Sequence, residues 1–385
     1  MRAFFDRVES ARPPMPLAQK LSRVHWTLLV LITLIACSGF AILYSAAGGS
    51  FSPWAGRQIL RFAFALALLL AAACVDIRTW MGLAYPAYLA SLVLLVAVEV
   101  AGRVGLGAQR WIEIGPLILQ PSELMKIALI LALARYLHGL QPEEVSRPLK
   151  LLVPLMMVLV PVVLVLMQPN LGTATILAFC GVTLLFLAGL SWRWIGAGAG
   201  AVALALPIGW QFLHDYQRQR VLTFLHPGDD ALGAGWNITQ AKIALGSGGL
   251  LGKGFLSGTQ SRLNFLPEKE TDFILPIIGE EFGFLGTMAL LALFAMVIYY
   301  GIGIAARSRS QFGRLLAMGI TVNFFLYLMI NGLMVMGLIP VVGIPMPLVS
   351  YGGTAMITVM FGFGLLMSVR VHRLVEVPRH AGAVI

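Results

Sequence analysis

Long apolar stretches run from end to end of the chain, and a short polar segment separates each one from the next. Most of them continue for roughly 20 residues, the length that an α-helix needs to cross the hydrocarbon core of a bilayer. The pattern therefore predicts an all-α polytopic membrane protein with about ten transmembrane helices. The predicted spans lie at 26–47, 58–75, 82–101, 122–139, 150–167, 171–190, 194–213, 274–303, 314–338 and 351–370.

One polar connection is much longer than the others. Residues 214–273 separate the seventh and eighth predicted spans and contain the glycine-rich segment GAGWNITQAKIALGSGGLLGKG. A connection of this length within a compact protein is usually functional, and its middle, near 237–244, could form an amphipathic helix at the membrane interface. Because no domain boundary is evident, residues 1–385 are predicted to form a single integral membrane domain, in which 214–273 bears part of the functional site.

Basic residues are unevenly distributed among the short connections. The leader, the connections after the fourth and eighth spans, and the tail all carry Lys or Arg, and an even number of spans places these four segments on one side. Lys and Arg accumulate on the cytoplasmic side of membrane proteins. Both termini are therefore predicted to be cytoplasmic and 214–273 extracytoplasmic. The connections 168–171 and 339–350, predicted outside, contain no Lys or Arg.

Composition supports the membrane class and excludes others. Hydrophobic residues make up 59% of the chain and charged residues 11%, whereas a soluble domain carries about 25% charged residues. The net charge of +10 is explained by the cytoplasmic loops, so nucleic acid is not expected as a partner. The histidines lack metal-binding spacing and each cysteine lies in an apolar run, so the protein is predicted to build no metal or cofactor site.

Carboxylates are concentrated where the long connection meets the eighth span. The segment FLPEKETDFILPIIGEE, residues 265–281, holds five of the 17 acidic residues. Asp272 begins the span, and taken alone it is most simply a helix cap or a solvated loop charge. Glu280 and Glu281 follow about two turns later and, at ~100° per residue, point roughly 80° and 180° away from Asp272.

A second charged motif, QPSELMKIA at 120–128, begins the fourth span at the same outer end. Glu123 and Lys126 are three residues apart, so they lie on one helical face and can pair. A lone charge deep in the bilayer costs ~2.5–3.5 kcal/mol and therefore tends to pair and to face a cavity. The pair could lock two helices together or belong to a site. With Asp272 at the same depth, the charges indicate a polar cavity that opens outward.

Several basic residues are also predicted on the outer side, where few are expected. Each is most simply a solvated loop charge, but together they suggest that a phosphate binds there. They are Arg110, Arg218, Arg220, Lys242, Lys253, Arg262 and Lys269. The neighbouring GSGGLLGKG is predicted to be a turn rather than a nucleotide-binding loop, because Ser247 and Gly254 occupy positions that require Gly and Ser or Thr.

Five ordered motifs resemble those of a known family over nearly the whole chain. They are GAQRWIEIG (107–115), QPSELMKIA (120–128), QPNLGTA (168–174), GTQSRLNFLPEKETDF (258–273) and NGLMVMGLIPVVGIPMPLVSYGG (331–353). Together they resemble the SEDS family (shape, elongation, division and sporulation), and in particular its rod-shape branch. Asn170 departs from the pattern, since many members have Asp there, and Leu275 and Pro276 are also unusual.

The resemblance implies a peptidoglycan glycosyltransferase of the bacterial cytoplasmic (inner) membrane, which polymerises lipid II for cell elongation and rod shape. It implies that Asp272, in the TDF motif, is the catalytic residue. The expected supporting residues of the active site are Glu123, Lys126, Glu280 and Glu281, and the expected substrate-binding residues are Arg110, Lys242, Lys253, Lys269, Gln260 and Ser350.

This reaction has definite chemical requirements. It joins the 4-hydroxyl of one sugar to the anomeric carbon of another, whose leaving group is a lipid diphosphate. A positioned carboxylate, here Asp272, would act as general base toward the hydroxyl. Lys, Arg or a divalent cation carried with the diphosphate would stabilise the departing undecaprenyl pyrophosphate. An α-linked donor that gives a β-linked product implies inversion in a single displacement.

Two other functional classes compete with an enzyme. A flippase for the same lipid would also have charged residues within spans, although the charges here cluster at one face. A scaffold for wall synthesis would not need to concentrate carboxylates. The resemblance also implies a class B penicillin-binding transpeptidase and the elongation machinery as partners, in addition to membrane lipids.

Overall fold

The computed structural model describes residues 15–105, 108–114, 117–212, 215–225, 234–263, 265–266 and 268–377. These residues form a bundle of long helices with one small group of strands. In chain order the elements are α1 (Leu17–Ser22), α2 (Trp26–Ala46), α3 (Ala55–Cys74), α4 (Ile77–Ala101), β1 (Arg103–Gly105), β2 (Ala108–Ile114), β3 (Leu117–Leu119), α5 (Pro121–His138), α6 (Pro142–Val145), α7 (Pro148–Met167), α8 (Leu171–Leu187), α9 (Trp192–Phe212), α10 (Asp215–Leu225), α11 (Ala234–Ser247), α12 (Thr259–Arg262), α13 (Ile274–Ala306), α14 (Gln311–Val335) and α15 (Gly353–Val371).

Each predicted span overlaps one of the long helices. Among the described residues, seven helices are long and apolar enough to cross a membrane: α2, α3, α4, α7, α13, α14 and α15. α5 contains Glu123, Lys126 and Arg135, and α8 is shorter, with 17 residues. The prediction of a helical multi-pass membrane protein is confirmed, and the full count of ten crossings stays a prediction.

Short strands lie between α4 and α5, where the sequence analysis expected none. β1 pairs antiparallel with β2, with Arg103 opposite Trp111, and β2 pairs with β3, with Ile112 opposite Leu119. The backbone groups of a connection beside a bilayer need hydrogen-bond partners. The three strands supply such partners to one another.

The most deeply buried helix is α5. Nearly all of its side chains are buried, because it packs against α4, α8 and α14 and also touches α15. A charged side chain on this helix must therefore find its partners inside the protein.

The connections between the helices lie at two opposite ends of the bundle. The end at which a cavity opens is called the pocket end. The described residues of the pocket end belong to 47–54, 102–120, 168–170, 213–273 and 336–352, and those of the opposite end to 15–25, 75–76, 139–147, 188–191, 307–310 and 372–377. At the opposite end, Lys20 Nζ donates a hydrogen bond to the carbonyl of Cys74 (2.7 Å). There the backbone N–H of Arg309 donates to the carbonyl of Arg373 (3.1 Å).

Candidate active site

A cavity of about 530 Å³ opens at the pocket end. Its volume is in the range of ligand-binding pockets, and segments distant in the sequence form its walls. It is lined by Arg110, Trp111, Gln120, Glu123, Lys126, Asn170, Thr173, Glu268, Thr271, Asp272, Tyr327, Gly343, Ile344, Pro345, Tyr351, Gly352, Gly353, Thr354 and Ala355. The structure thus brings together Asp272, Glu123, Lys126 and Arg110 from the predicted site.

Asp272 lies just before α13, and its side chain lines the cavity although the residue is only 8% exposed. The N-cap of α13 is Phe273, which makes no side-chain cap hydrogen bond. Asp272 is thus one residue before the N-cap position. The backbone N–H groups of Thr271 and Phe273 both donate to the carbonyl of Glu268, so a tight turn presents Asp272 to the cavity.

Hydrogen bonds from α14 and the following connection fix the backbone around Asp272. The Nδ2 amide of Asn331, fully buried on α14, donates to the carbonyls of Asp272 (2.9 Å) and Ile344 (2.7 Å). Ser350 Oγ donates to the carbonyl of Thr271 (2.5 Å). Ser350, a predicted substrate-binding residue, thus holds the loop that carries Asp272. This role of Asn331 was not predicted from the sequence, although a polar residue inside the predicted span 314–338 often marks a functional position.

Gly343 lies directly against the carboxylate of Asp272. Its φ is +72°, and a Cβ at this position would lie 3.4 Å from Asp272 Oδ2. Only glycine adopts a left-handed backbone without steric cost. The absence of a side chain at Gly343 also leaves room beside the carboxylate.

The predicted ion pair between Glu123 and Lys126 is present in the cavity wall. Lys126 Nζ lies 2.6 Å from Glu123 Oε1, and these residues are 2% and 5% exposed. The hydroxyl of Tyr327 donates to Glu123 Oε2 (2.5 Å) and contacts Lys126 Nζ, and Thr358 Oγ1 reaches the same carboxylate oxygen (3.2 Å). Three helices therefore share one buried polar network. Tyr327 was missed because an aromatic residue in an apolar span gives no distinguishing signal.

Arg110 enters the cavity wall from β2. Its guanidinium donates to the carbonyls of Gln168 (3.2 Å) and Pro169, and the side chain of Gln168 donates to the carbonyl of Leu95 (3.0 Å). Arg110 is thus anchored to the connection between α7 and α8. These two hydrogen bonds hold its guanidinium in the wall of the cavity.

Glu280 does not line the cavity with Asp272. It is fully buried, and its Oε1 accepts hydrogen bonds from Lys253 Nζ (2.6 Å), the N–H of Thr259 (2.8 Å) and the N–H of Gln260 (3.2 Å). Three predicted site residues, Glu280, Lys253 and Gln260, therefore form a separate cluster. In it the carboxylate accepts from the N-terminus of α12 and holds the preceding loop.

Glu281 also lies outside the cavity lining, and Ser45 Oγ donates to its Oε1. Beyond it α13 is interrupted at Gly283, whose φ is +65°. The glycine-rich segment fills this interruption: the N–H of Phe284 donates to the carbonyl of Gly249 (2.9 Å), and a Cβ at Gly252 would lie 2.2 Å from the carbonyl oxygen of Glu281. The segment GSGGLLGKG is thus a loop that packs against the break in α13, consistent with its prediction as a turn.

The remaining predicted lysines lie outside the described lining of the cavity. Lys242 on α11 packs against Gly337, where a Cβ would lie 2.6 Å from its Cε. Lys269 is 9% exposed, and its ammonium lies 6.0 Å from the ring centre of Trp54. Burial lowers the pKa of Lys269, and Coulombic attraction from Glu270 opposes this effect. Among the described residues, no group of three or more His, Cys, Asp or Glu could hold a metal ion.

Comparisons with known proteins place the chain beside wall-synthesis enzymes. Residues 19–374 match the family model FTSW_RODA_SPOVE, described as cell cycle protein. The peptidoglycan glycosyltransferase MrdB of Escherichia coli K12 is 46% identical over 349 residues, which cover 90% of this chain and 93% of that protein. The probable peptidoglycan glycosyltransferase FtsW of Geobacter metallireducens is 34% identical over 363 residues, which cover 91% and 96% of the two chains.

Solved structures give the same result for the fold. The rod shape determining protein RodA of Thermus thermophilus superposes with a TM-score of 0.70 at 30% identity, covering 91% of this chain and 97% of that one. A chain from the structure described as "Structural coordination of polymerization and crosslinking by a peptidoglycan synthase complex" superposes with a TM-score of 0.79 at 33% identity. It covers 91% of this chain and 98% of that one.

Proposed function

The chain belongs to the FtsW/RodA/SpoVE family of cell cycle proteins, and we infer that it is a peptidoglycan glycosyltransferase whose active site is the cavity around Asp272. It polymerises lipid II into glycan strands for cell elongation and rod shape. One observation carries the assignment of the site: a nearly buried carboxylate and a buried Glu–Lys pair line one cavity at the end of a membrane-spanning bundle. There a sugar can enter while its polyprenyl chain stays in lipid.

Asp272 is the general base of this proposal. Its carboxylate accepts the proton of the acceptor 4-hydroxyl as the new C–O bond forms at the anomeric carbon of the donor. The old C–O bond breaks and its electron pair leaves with the lipid diphosphate. The reaction inverts the anomeric carbon in one displacement, so the protein needs no nucleophile. The backbone contacts from Asn331 and Ser350 hold Asp272 in position for this transfer.

The buried network next to Asp272 serves the same step. Lys126 contributes positive charge to the cavity wall, while Glu123 and Tyr327 fix its ammonium group. Preorganised charge of this kind stabilises a developing anion because it needs no reorganisation during the reaction. Arg110 also lines the cavity and adds a second positive charge that can act on the same anion. A divalent cation carried by the diphosphate would add to this stabilisation.

The proposed orientation places the cavity on the extracytoplasmic side of the membrane. The described residues of the opposite end include Lys20, Arg23, Arg147, Arg307, Arg309 and Arg373, whereas 168–170 and 339–350 at the pocket end carry no Lys or Arg. The tendency of basic residues to stay inside supports cytoplasmic termini in the bacterial inner membrane. Polymer would then form on the extracytoplasmic face.

A lipid II polymerisation assay tests the proposal. Purified protein is incubated with fluorescent lipid II, without ATP or other enzymes, and glycan ladders are resolved on a gel. Asp272→Asn should abolish the ladder and leave the melting temperature unchanged, because the hydrogen bonds that hold this loop go to backbone carbonyls. Glu270→Gln is the matched control, since it removes a charge from the same loop at a position outside the cavity lining.

The outcomes separate the competing functions. Wild-type polymer from Asp272→Asn would remove Asp272 from the mechanism. Transfer of lipid II between leaflets by the wild type, without any polymer, would indicate the flippase instead.

A transpeptidase of the class B penicillin-binding type is the proposed partner. The structural match to a chain of a peptidoglycan synthase complex supports it, because strands made at the cavity need crosslinking nearby. Co-purification of the two proteins, with crosslinked product only from the pair, would test this assignment.

A further inference from the structure

A third cation, Arg61, lies beside the cavity, and the proposed mechanism gives it no role. Arg61 of α3 packs against the N-terminus of α15, where a Cβ at Gly353 would lie 3.1 Å from both Cζ and Nε of the guanidinium. Its Cζ lies 4.7 Å from the ring centre of Tyr351. Tyr351, Gly352 and Gly353 line the cavity, so Arg61 adjoins this part of the cavity wall.

Two positive groups meet at this point. The N-terminus of an α-helix carries roughly half a positive charge and exposes N–H groups. α15 begins after Gly352 with no side-chain cap and no acidic residue in its first turn. The guanidinium of Arg61 adds a full positive charge. Such a pair is unfavourable by itself and becomes favourable when an anion lies between its members.

Within the described part of the chain, no carboxylate forms an ion pair with Arg61. Its Nη1 is buried and has no hydrogen-bond partner there. The carboxylate that α15 contacts, Glu123 through Thr358, already has Lys126 as its counter-charge. A guanidinium in this setting is suited to an anion that comes from outside the chain.

The depth of Arg61 identifies the chemistry of that anion. The residue lies six positions after the start of α3, about 9 Å along the helix at 1.5 Å per residue. It therefore sits where the apolar part of the bundle begins. In a polyprenyl-linked sugar, the diphosphate joins the apolar chain to the sugar. When the sugar occupies the cavity, its diphosphate must lie at this boundary.

We propose that Arg61 and the N-terminus of α15 together bind the diphosphate of a lipid-linked substrate. The planar guanidinium can donate two parallel hydrogen bonds to phosphate oxygens, and the first N–H groups of α15 complete the site. This assignment deepens the proposed function and rests on it. The diphosphate belongs either to the donor, as the leaving group, or to the acceptor, as an anchor.

Kinetics of three variants test the assignment. Arg61→Gln should lower kcat/KM for lipid II roughly tenfold to a hundredfold, the loss expected for a charge-assisted hydrogen bond. Arg61→Lys should recover part of this loss, because an ammonium binds phosphate as a point charge. Arg57→Gln is the matched control, since Arg57 lies one turn earlier on α3 with an exposed side chain, and it should behave like the wild type.

The kinetic parameters also identify which diphosphate is bound. Charge develops on the leaving group only in the transition state, so a lower kcat assigns Arg61 to the donor. A higher KM with unchanged kcat assigns it to the acceptor, because that diphosphate keeps its charge throughout the reaction. Either result supports the proposal.

A binding measurement provides a readout that does not depend on turnover. Undecaprenyl diphosphate and undecaprenyl monophosphate are titrated against purified protein and followed by native mass spectrometry. Arg61→Gln should weaken diphosphate binding at least tenfold relative to the wild type, whereas Asp272→Asn should retain it. The wild type should prefer the diphosphate.

If Arg61→Gln lowers the melting temperature but keeps wild-type diphosphate affinity and kcat/KM, Arg61 only locks α3 onto Tyr351 by a cation–π contact. Failure of the proposed function would be recognised separately. In that case Asp272→Asn would still polymerise lipid II, whatever the diphosphate affinity of Arg61→Gln.

Discussion

Replacing Glu123 alone should destabilise the protein more than replacing Glu123 and Lys126 together. Glu123→Gln leaves the buried ammonium of Lys126 without its counter-charge, and Lys126→Met leaves the carboxylate in the same situation. The double variant removes both charges. Both side chains lie within the cavity wall with almost no exposure, so water cannot readily replace the lost partner.

The magnitude follows from the geometry. At 2.6 Å and an effective dielectric constant of about 20, two unit charges attract by about 6 kcal/mol. Desolvating the two groups costs several kcal/mol each, so the intact pair contributes little net stability. Removing one member should cost about 3–5 kcal/mol, whereas removing both should cost much less than the sum of the two single losses.

A double-mutant cycle on the purified protein measures this difference. The free energy of unfolding, or the melting temperature in a fixed lipid nanodisc, is compared for the wild type, the two single variants and the double variant. The electrostatic reasoning would be refuted if the double variant lost the sum of the single losses, or if Glu123→Gln were as stable as the wild type. Loss of polymerisation with unchanged melting would instead favour a direct role of Glu123 in the reaction.

Three further substitutions test other parts of the site. Tyr327→Phe removes the hydroxyl that donates to the buried carboxylate (2.5 Å) and should cost about 1.5–3 kcal/mol of unfolding free energy. Tyr299→Phe, at a residue that is 73% exposed, should cost nothing measurable, and equal melting of the two variants would contradict the prediction. Gly343→Ala should strain the backbone by roughly 1–2 kcal/mol, crowd the general base and lower kcat in the lipid II assay. Gly332→Ala, whose added Cβ meets no atom within 4 Å, should retain wild-type kcat, and equal rates would argue against crowding. Glu280→Gln should speed trypsin cleavage of the loop that its carboxylate holds, and an unchanged digestion pattern would show that other contacts hold it.

Local patterns predicted the helices and one buried ion pair correctly. Apolar length located each long helix to within a few residues, and the three-residue spacing of Glu123 and Lys126 predicted their ion pair. These predictions succeed because each one depends on a single segment, in which residues close in sequence are also close in space.

Other assignments could not be made from local patterns. Glu280 was expected to support Asp272 because both lie at the same outer depth, but its side chain turns to the loop that ends in α12. Helical angles alone cannot give this result, since it depends on the glycine-rich segment docking at the break in α13. Tyr327 and Asn331 were missed because their roles exist only once α14 packs beside α5 and the loop of Asp272.

The sequence by itself determined that the chain crosses a membrane as helices, and it predicted on which side its charges should lie. A segment in lipid must satisfy its own backbone hydrogen bonds, so its apolar length is enough to predict a helix. Only the tertiary structure decided which charges share the cavity, which ones hold loops, and that Arg61 meets the start of α15. Those contacts join residues far apart in the chain, and their geometry depends on how the helices pack.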